Sequence, residues 1–243
     1  MSEYAVLQGR VSVEAALRGR SRHVRVIYIR SDRPRRDTAR LEQLAREAGV
    51  LLERVKAEVI ESYASGTTHG GIIAFVGERK LLELPELLEG KARPFIVMLD
   101  GVEDPFNFGY ALRALYAAGV DGVVVRPRSW ASVAGIVARA SAGASELMPL
   151  AEAPSAVDAG RFFRAQGLAI ACTAKRNAVS IYEADLTGPL FLVIGGEKRG
   201  MSRAIVDEAD IRLWVPYGRT FAASLSTAAA AAVIAFEVMR KRR

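Results

Sequence analysis

The stretch "FIVMLDGVEDPFNFGYALRALYAAGVDGVVVR" (95–126) decides how the chain must fold. Residues 95–100 are a near-continuous apolar run that ends on an acid. Asp104 followed by Pro105 is a helix N-cap and first-turn pair. Leu112, Ala114, Leu115, Ala117 and Ala118 then give core-like positions at helical spacing, and residues 122–126 are a second apolar strand. Strands without polar alternation are covered on both faces, which is the pattern of a parallel sheet sandwiched by helices. Asn107, Gly109 and Arg113 do not belong to that logic. Gly109 and Arg113 are four apart and share a helix face, so the helix is expected to meet a ligand as well as a core.

The same alternation continues toward the C-terminus. Strands are expected at 168–173, 190–195 and 211–216, and helices at about 105–118, 131–139, 154–166, 201–209 and 222–241. The fold class is α/β, with a parallel sheet spanning 95–243. A smaller α/β domain is expected over 1–78. Its strands are at 23–29, 50–55 and 70–77, and a short helix is at 56–64. An amphipathic helix at 35–49 carries Leu41, Leu44, Ala45 and Ala48 on one stripe and stops at Gly49. Residues 79–94 are charged, hold two prolines and read as a linker.

The chain has 243 residues, of which 51% are hydrophobic, enough for two cored units. No apolar run is long enough to span a bilayer, and the first residues lack the apolar segment of a secretory signal, so a cytoplasmic protein with no membrane partner is expected. One cysteine and two histidines exclude a disulfide framework and supply no metal cluster. Ten arginines between residues 10 and 40 face only Glu14, Asp32 and Asp37, which accounts for the whole formal excess of +7. Clustered guanidiniums fork onto phosphate oxygens, so this region is a candidate nucleic-acid surface; a merely solvated face is the plainer reading.

In a parallel α/β sheet, ligands sit beyond the carboxyl ends of the strands. Besides the turn at 101–113, two such ends are unusual. "VIGGEKRGMS" (193–202) has the glycine spacing of a phosphate loop, but Met201 stands where that loop needs lysine. Glu197 stands where a dinucleotide fingerprint needs its third glycine. What remains is a flexible glycine turn that exposes backbone groups. "VPYGRTFAASLSTAAAAAVIAFE" (215–237) ends a strand, places Ser224 and Ser226 in or near the first turns of the last helix, and continues into five alanines. An alanine face allows another backbone to come close, within the fold or across a dimer.

Taken in order, "DPFNFGYALR", "VIGGEKRGM" and "VPYGRTFAASLS" resemble the three motifs of the SpoU (TrmH-like) RNA ribose 2′-O-methyltransferases of the SPOUT class, and "SAGA" (141–144) resembles a further family segment. The resemblance implies a parallel sheet with a deep C-terminal trefoil knot, preceded by a small α/β RNA-binding domain. It implies S-adenosylmethionine as cofactor, held around Thr173, Gly195, Val215 and Leu225, and a homodimer that completes the site. It implies an RNA substrate, ribosomal or transfer RNA, with ribosomal RNA favoured. Arg113 would pin a phosphate and stabilise charge on the ribose O2′. Asn107 would orient the RNA or Arg113. Glu197 would hold the glycine loop or pair with Arg113, and Ser224 and Ser226 would hydrogen-bond near the ribose. The family's third motif usually reads Ser-Leu-Asn and here reads Ser-Leu-Ser, which keeps open an RNA-binding relative with weak or no transfer. "THGG" (68–71) also departs from the family, and His69 reads as a structural turn residue.

Overall fold

The computed structural model describes residues 4–127, 131–196 and 200–243. In chain order the elements are β1 (Ala5–Gln8), α1 (Arg10–Gly19), β2 (Arg22–Arg30), α2 (Arg35–Glu47), β3 (Leu51–Val55), α3 (Ala57–Tyr63), β4 (Ile72–Arg79), β5 (Phe95–Asp100), α4 (Pro105–Ala117) and β6 (Gly122–Val125). There follow α5 (Ala134–Ala140), α6 (Ala144–Leu147), β7 (Leu150–Glu152), α7 (Ala156–Ala165), β8 (Ala169–Thr173), β9 (Val179–Ser180), β10 (Leu190–Gly195), α8 (Arg203–Glu208), β11 (Ile211–Trp214) and α9 (Thr227–Arg242). They form two compact units, residues 1–80 with 129–147 and residues 81–128 with 148–243.

The first unit is a four-stranded sheet in the order β1-β4-β2-β3, with β2 parallel to β3 and the other pairs antiparallel. Leu7, Ile27, Ile29, Ile72 and Val76 from the strands meet Val13 of α1 and Leu41 of α2 in its core. The sequence pattern did not disclose β1 and α1. The helix starts at Gly9 (φ 85) without a side-chain cap, so the usual start signal is missing.

Two expectations fail here. The helix expected at 131–139 belongs to the first unit, not to the unit that begins near residue 95. Ala134 and Ala138 are buried in the first unit's core. Gly135 lets α5 lie against β1, since a Cβ there would come within 2.5 Å of the Val6 carbonyl oxygen. Glu146, 1% exposed, accepts from Ser21 Oγ (2.7 Å) and Arg22 Nε (2.9 Å), with Arg79 Nη1 3.6 Å away. This segment is therefore anchored by packing and by a buried ion cluster. The 79–94 segment is not a free linker either. Leu82 bridges to Ala151, residues Leu84–Leu88 form a 3₁₀ turn, and Leu87 is buried in the second unit's core. The Leu87 side chain fills the space a Cβ on Gly122 would need, coming within 2.8 Å of it.

The second unit is a seven-stranded sheet in the order β7-β6-β5-β10-β8-β11-β9, every pair parallel. One face carries Ile96, Met98, Ile170, Phe191 and Val193, covered by Phe163 of α7 and Ile205 of α8. On the other face α4 and α9 pack together, and α9 lies against β10. Strands of two or three residues, β7 and β9, are too short to leave a periodic signal.

Candidate active site

The adjacent strands β10, β8 and β11 end at Gly195, Thr173 and Trp214, and their carboxyl ends open into a cavity of about 1100 Å³. Gly195 and Gly196 stand there because backbone passes close to them. A Cβ on Gly196 would lie 2.1 Å from the Gly101 carbonyl oxygen, and one on Gly195 would lie 2.9 Å from the Gly200 carbonyl carbon. Gly196 N–H donates to the Asp100 carbonyl (2.7 Å), and Gly200 N–H donates to the Gly196 carbonyl (3.0 Å). Gly196 and Gly200 are thus tied to neighbouring backbone, and the Gly196 N–H is already bonded. Glu197 lies outside the described residues.

Residues 215–226 form a strap over the cavity. Its bonds are few. Leu225 N–H donates to Tyr217 Oη (3.1 Å), and the Tyr217 ring lies 6.1 Å from that of Phe221. The last helix begins later than the sequence implied, at Thr227 instead of residue 222. Ser226 is its N-cap, with Oγ accepting from Ala229 N–H (3.2 Å), and Thr227 Oγ1 donates to the Gly195 carbonyl (3.2 Å). Ser224 therefore sits on the strap, exposed, and not in the helix. The sequence placed Ser226 near a ribose; its oxygen is engaged at the helix start.

Thr173, Gly195, Val215, Ser224, Leu225 and Ser226 all line this one cavity. Trp214, Tyr217 and Phe221, together with Lys175 and Arg219, also line it and were not singled out from the sequence. Their signal was position, since Trp214 ends β11, Lys175 lies just past β8, and Tyr217, Arg219 and Phe221 follow β11 on the strap. Among the described lining residues there are two cations and no carboxylate. The rest of the wall mixes hydroxyl side chains, such as Thr173 and Ser224, with apolar ones, such as Met201, Leu213 and Ile234. Such a site suits an organic ligand with an aromatic group and a negative end. Cys172, one residue before Thr173, is buried, and burial pushes its thiol up to about 11 against the pull of Arg212, so it is no nucleophile at neutral pH. No cluster of potential metal ligands occurs among the described residues.

The opening turn behaves as its sequence implied. Asp104 Oδ1 accepts from Asn107 N–H (2.7 Å), and Pro105 occupies the first turn. Asn107 is half-buried and Gly109 buried. Arg113 is exposed and makes no ion pair among the described residues; neither it nor Asn107 lines the cavity. Phe106, Tyr110 and Tyr116 of α4 and Val233 and Phe236 of α9 are also exposed. In the first unit, seven of the ten clustered arginines are exposed, namely 10, 18, 20, 25, 35, 36 and 40. Arg22 is not part of that surface; it is buried against Glu146. His69 is buried with Nδ1 accepting from Gly71 N–H (3.0 Å), a turn role.

Residues 94–236 match the family model described as the SpoU rRNA Methylase family, and residues 6–81 match RNA 2′-O ribose methyltransferase substrate binding. The chain belongs to the SpoU rRNA methylase family. Among its curated relatives is the 23S rRNA (guanosine-2′-O-)-methyltransferase RlmB of Shewanella oneidensis, 31% identical over 100% of both chains. RlmB of Yersinia pestis is 34% identical over 85% of this chain and 86% of that one. The fold is that of an AdoMet-bound rRNA methyltransferase from Sinorhizobium meliloti, with TM-score 0.81 and 24% identity, covering 98% of this chain and 87% of that chain. It is also that of the SpoU methyltransferase AviRb from Streptomyces viridochromogenes in complex with AdoMet, with TM-score 0.79 and 21% identity over 99% and 91%.

Proposed function

We propose that this chain transfers a methyl group from S-adenosylmethionine to the ribose 2′-OH of a guanosine in 23S rRNA, and that it does so in the cytoplasm as a homodimer. The observation that carries this reading is the meeting of the second and third motifs, far apart in sequence, with the end of β8 at one cavity. Thr173, Gly195, Val215 and Leu225, chosen from sequence as cofactor contacts, share its wall. The relatives are named as 23S rRNA (guanosine-2′-O-)-methyltransferases, which supports the choice of RNA. No helix among the described residues is long and apolar enough to cross a membrane.

The cavity fits the cofactor. Its aromatic residues can face an adenine, and Lys175 or Arg219 can pair with a carboxylate. Bound S-adenosylmethionine supplies a methyl group that is already activated, so the protein's work is alignment. Arg113 pins the phosphate beside the target sugar and stabilises the charge that develops on O2′. A guanidinium barely deprotonates, so it is not the base; the 2′ proton leaves to water or to a neighbouring group. Asn107 orients the RNA or Arg113, and Ser224 hydrogen-bonds near the ribose. Ser226 serves by starting α9, and in that role serine equals the family's asparagine.

Two features support the dimer. Arg113 lies outside the cavity of its own chain. It also lies among the exposed aromatic residues of α4, beside α9, an apolar patch of the kind that interfaces cover. A second copy seated there brings Arg113 to the partner's cavity. The reading includes the trefoil knot, supported by the late strand β11 lying between β8 and β9 and by the bond from Thr227 back to the glycine turn. It takes residues 1–78 as the RNA-binding domain and 95–243 as the sequence span of the transferase, with 129–147 packed into the former. Calorimetry with S-adenosylmethionine tests the cofactor assignment. Saturable heat with one site per chain is expected, and an absence of heat alongside intact RNA binding would assign the chain to the binding-only class.

A further inference from the structure

Asp100 ends β5 and is 1% exposed. Its Oδ1 accepts from Arg126 Nε at 2.5 Å, and its Oδ2 is buried without a hydrogen-bond partner. Arg126 follows β6, the neighbouring strand, and its side chain is 49% exposed. A structural carboxylate–guanidinium pair commonly closes as a two-point fork. Here one N–H is used, and no partner is recorded for the two terminal amino groups of Arg126 among the described residues. Burying a carboxylate costs several kcal/mol, and a one-point pair with a half-exposed arginine returns little of that. The arrangement is a poor stabiliser, but it fixes the direction of a forked donor.

The fork stands at the carboxyl edge of the sheet. The strand order there is β6-β5-β10, so Arg126 is two strand spacings, on the order of 10 Å, from the Gly195 wall of the cavity. It does not line that cavity, so the carboxylate of a bound cofactor is not its partner. Between the two stands the turn that leads into α4 and Arg113. We propose that Arg126 binds a phosphate of the RNA adjacent to the target nucleotide, and that Asp100 is the positioning residue that aims it. This rests on the reading of the chain as an RNA-binding methyltransferase.

The test uses the full chain, unmodified 23S rRNA made by transcription, and S-adenosylmethionine. RNA Kd is measured at several salt concentrations, cofactor Kd by calorimetry, and KM for RNA by methyl incorporation. Arg126→Ala is expected to weaken RNA binding by about tenfold, to lower the salt slope by about one, and to leave cofactor Kd within about twofold, as befits a residue outside the cavity. Arg126→Lys, a point charge without the fork, recovers the slope but not the full affinity. Asp100→Asn weakens RNA binding in the same direction, with cofactor binding reporting that the variant is folded. A fall in melting temperature with unchanged RNA Kd and slope would overturn the proposal, as would loss of cofactor affinity in Arg126→Ala. If the wild type binds RNA through Arg126 yet transfers no methyl, the proposal stands and the transferase reading falls. If it binds no RNA, both fall.

Discussion

Ser226 shows how a residue that departs from its family can keep its work. Its Oγ accepts the Ala229 N–H and so satisfies one of the unpaired donors that open α9. Ser226→Ala is expected to destabilise the protein by about 1 kcal/mol, read by urea unfolding, whereas Ser226→Asn should fall within a few tenths because both side chains cap equally well. If the asparagine variant proves faster in transfer, the amide has a role at the ribose that serine lacks. A family motif told us that position 226 matters. Only the backbone hydrogen bond shows why, because capping depends on where a helix begins, and the alanine run hid that point.

Among the elements, the parallel sheet was legible and its closures were not. The runs at 95–100 and 190–195 match β5 and β10 to the residue, since buried strands are apolar throughout. The helix at 105–118 was fixed by Asp104 and Pro105. By contrast, the packing at Gly196 was not legible, because sequence cannot show that Gly196 faces the Gly101 carbonyl. That contact gives an outcome for the element. Gly196→Ala must push backbone against backbone, so it should cost on the order of 1–3 kcal/mol and lower cofactor affinity, measured by thermal melts and calorimetry. An alanine variant with wild-type melting and affinity would mean that the turn yields freely. Similarly, 79–94 looked like a linker because charge and proline mask the pattern of Leu82, Leu84, Leu87 and Leu88, which pack inward. The cofactor contacts were legible through motifs. The aromatic residues of the strap were not, because a short loop has no period.

Across the whole molecule, the two units interleave in sequence, since 129–147 returns to the first. Glu146 makes that return specific. Burial pushes its carboxyl up, but the charges of Arg22 and Arg79 and the bonds from Ser21 and Arg22 outweigh this, and it ionises below its ordinary 4.5. Burial in turn lowers the Arg79 guanidinium to about 10, against the pull of Glu146. Because the folded carboxyl titrates below the unfolded one, its stabilisation is present above about 4.5 and is lost as pH falls through the depressed folded value. Acid unfolding followed by circular dichroism should therefore steepen below that point. Glu146→Gln, which removes the carboxylate that pairs with the buried Arg22 guanidinium, should cost about 3–5 kcal/mol at pH 7 and flatten the acid dependence. An unchanged acid limb in that variant would show that other carboxylates govern it.

Methyl transfer to a guanosine ribose is the reaction proposed for this chain, and nucleoside mapping tests it most directly. Unmodified 23S rRNA is incubated with the protein and methyl-labelled S-adenosylmethionine, digested to nucleosides, and resolved by mass spectrometry. The expected product is 2′-O-methylguanosine, formed by the wild type and absent with Arg113→Ala, whose cofactor binding persists. Label on a base, or an active Arg113→Ala variant, would contradict the chemistry assigned to this site.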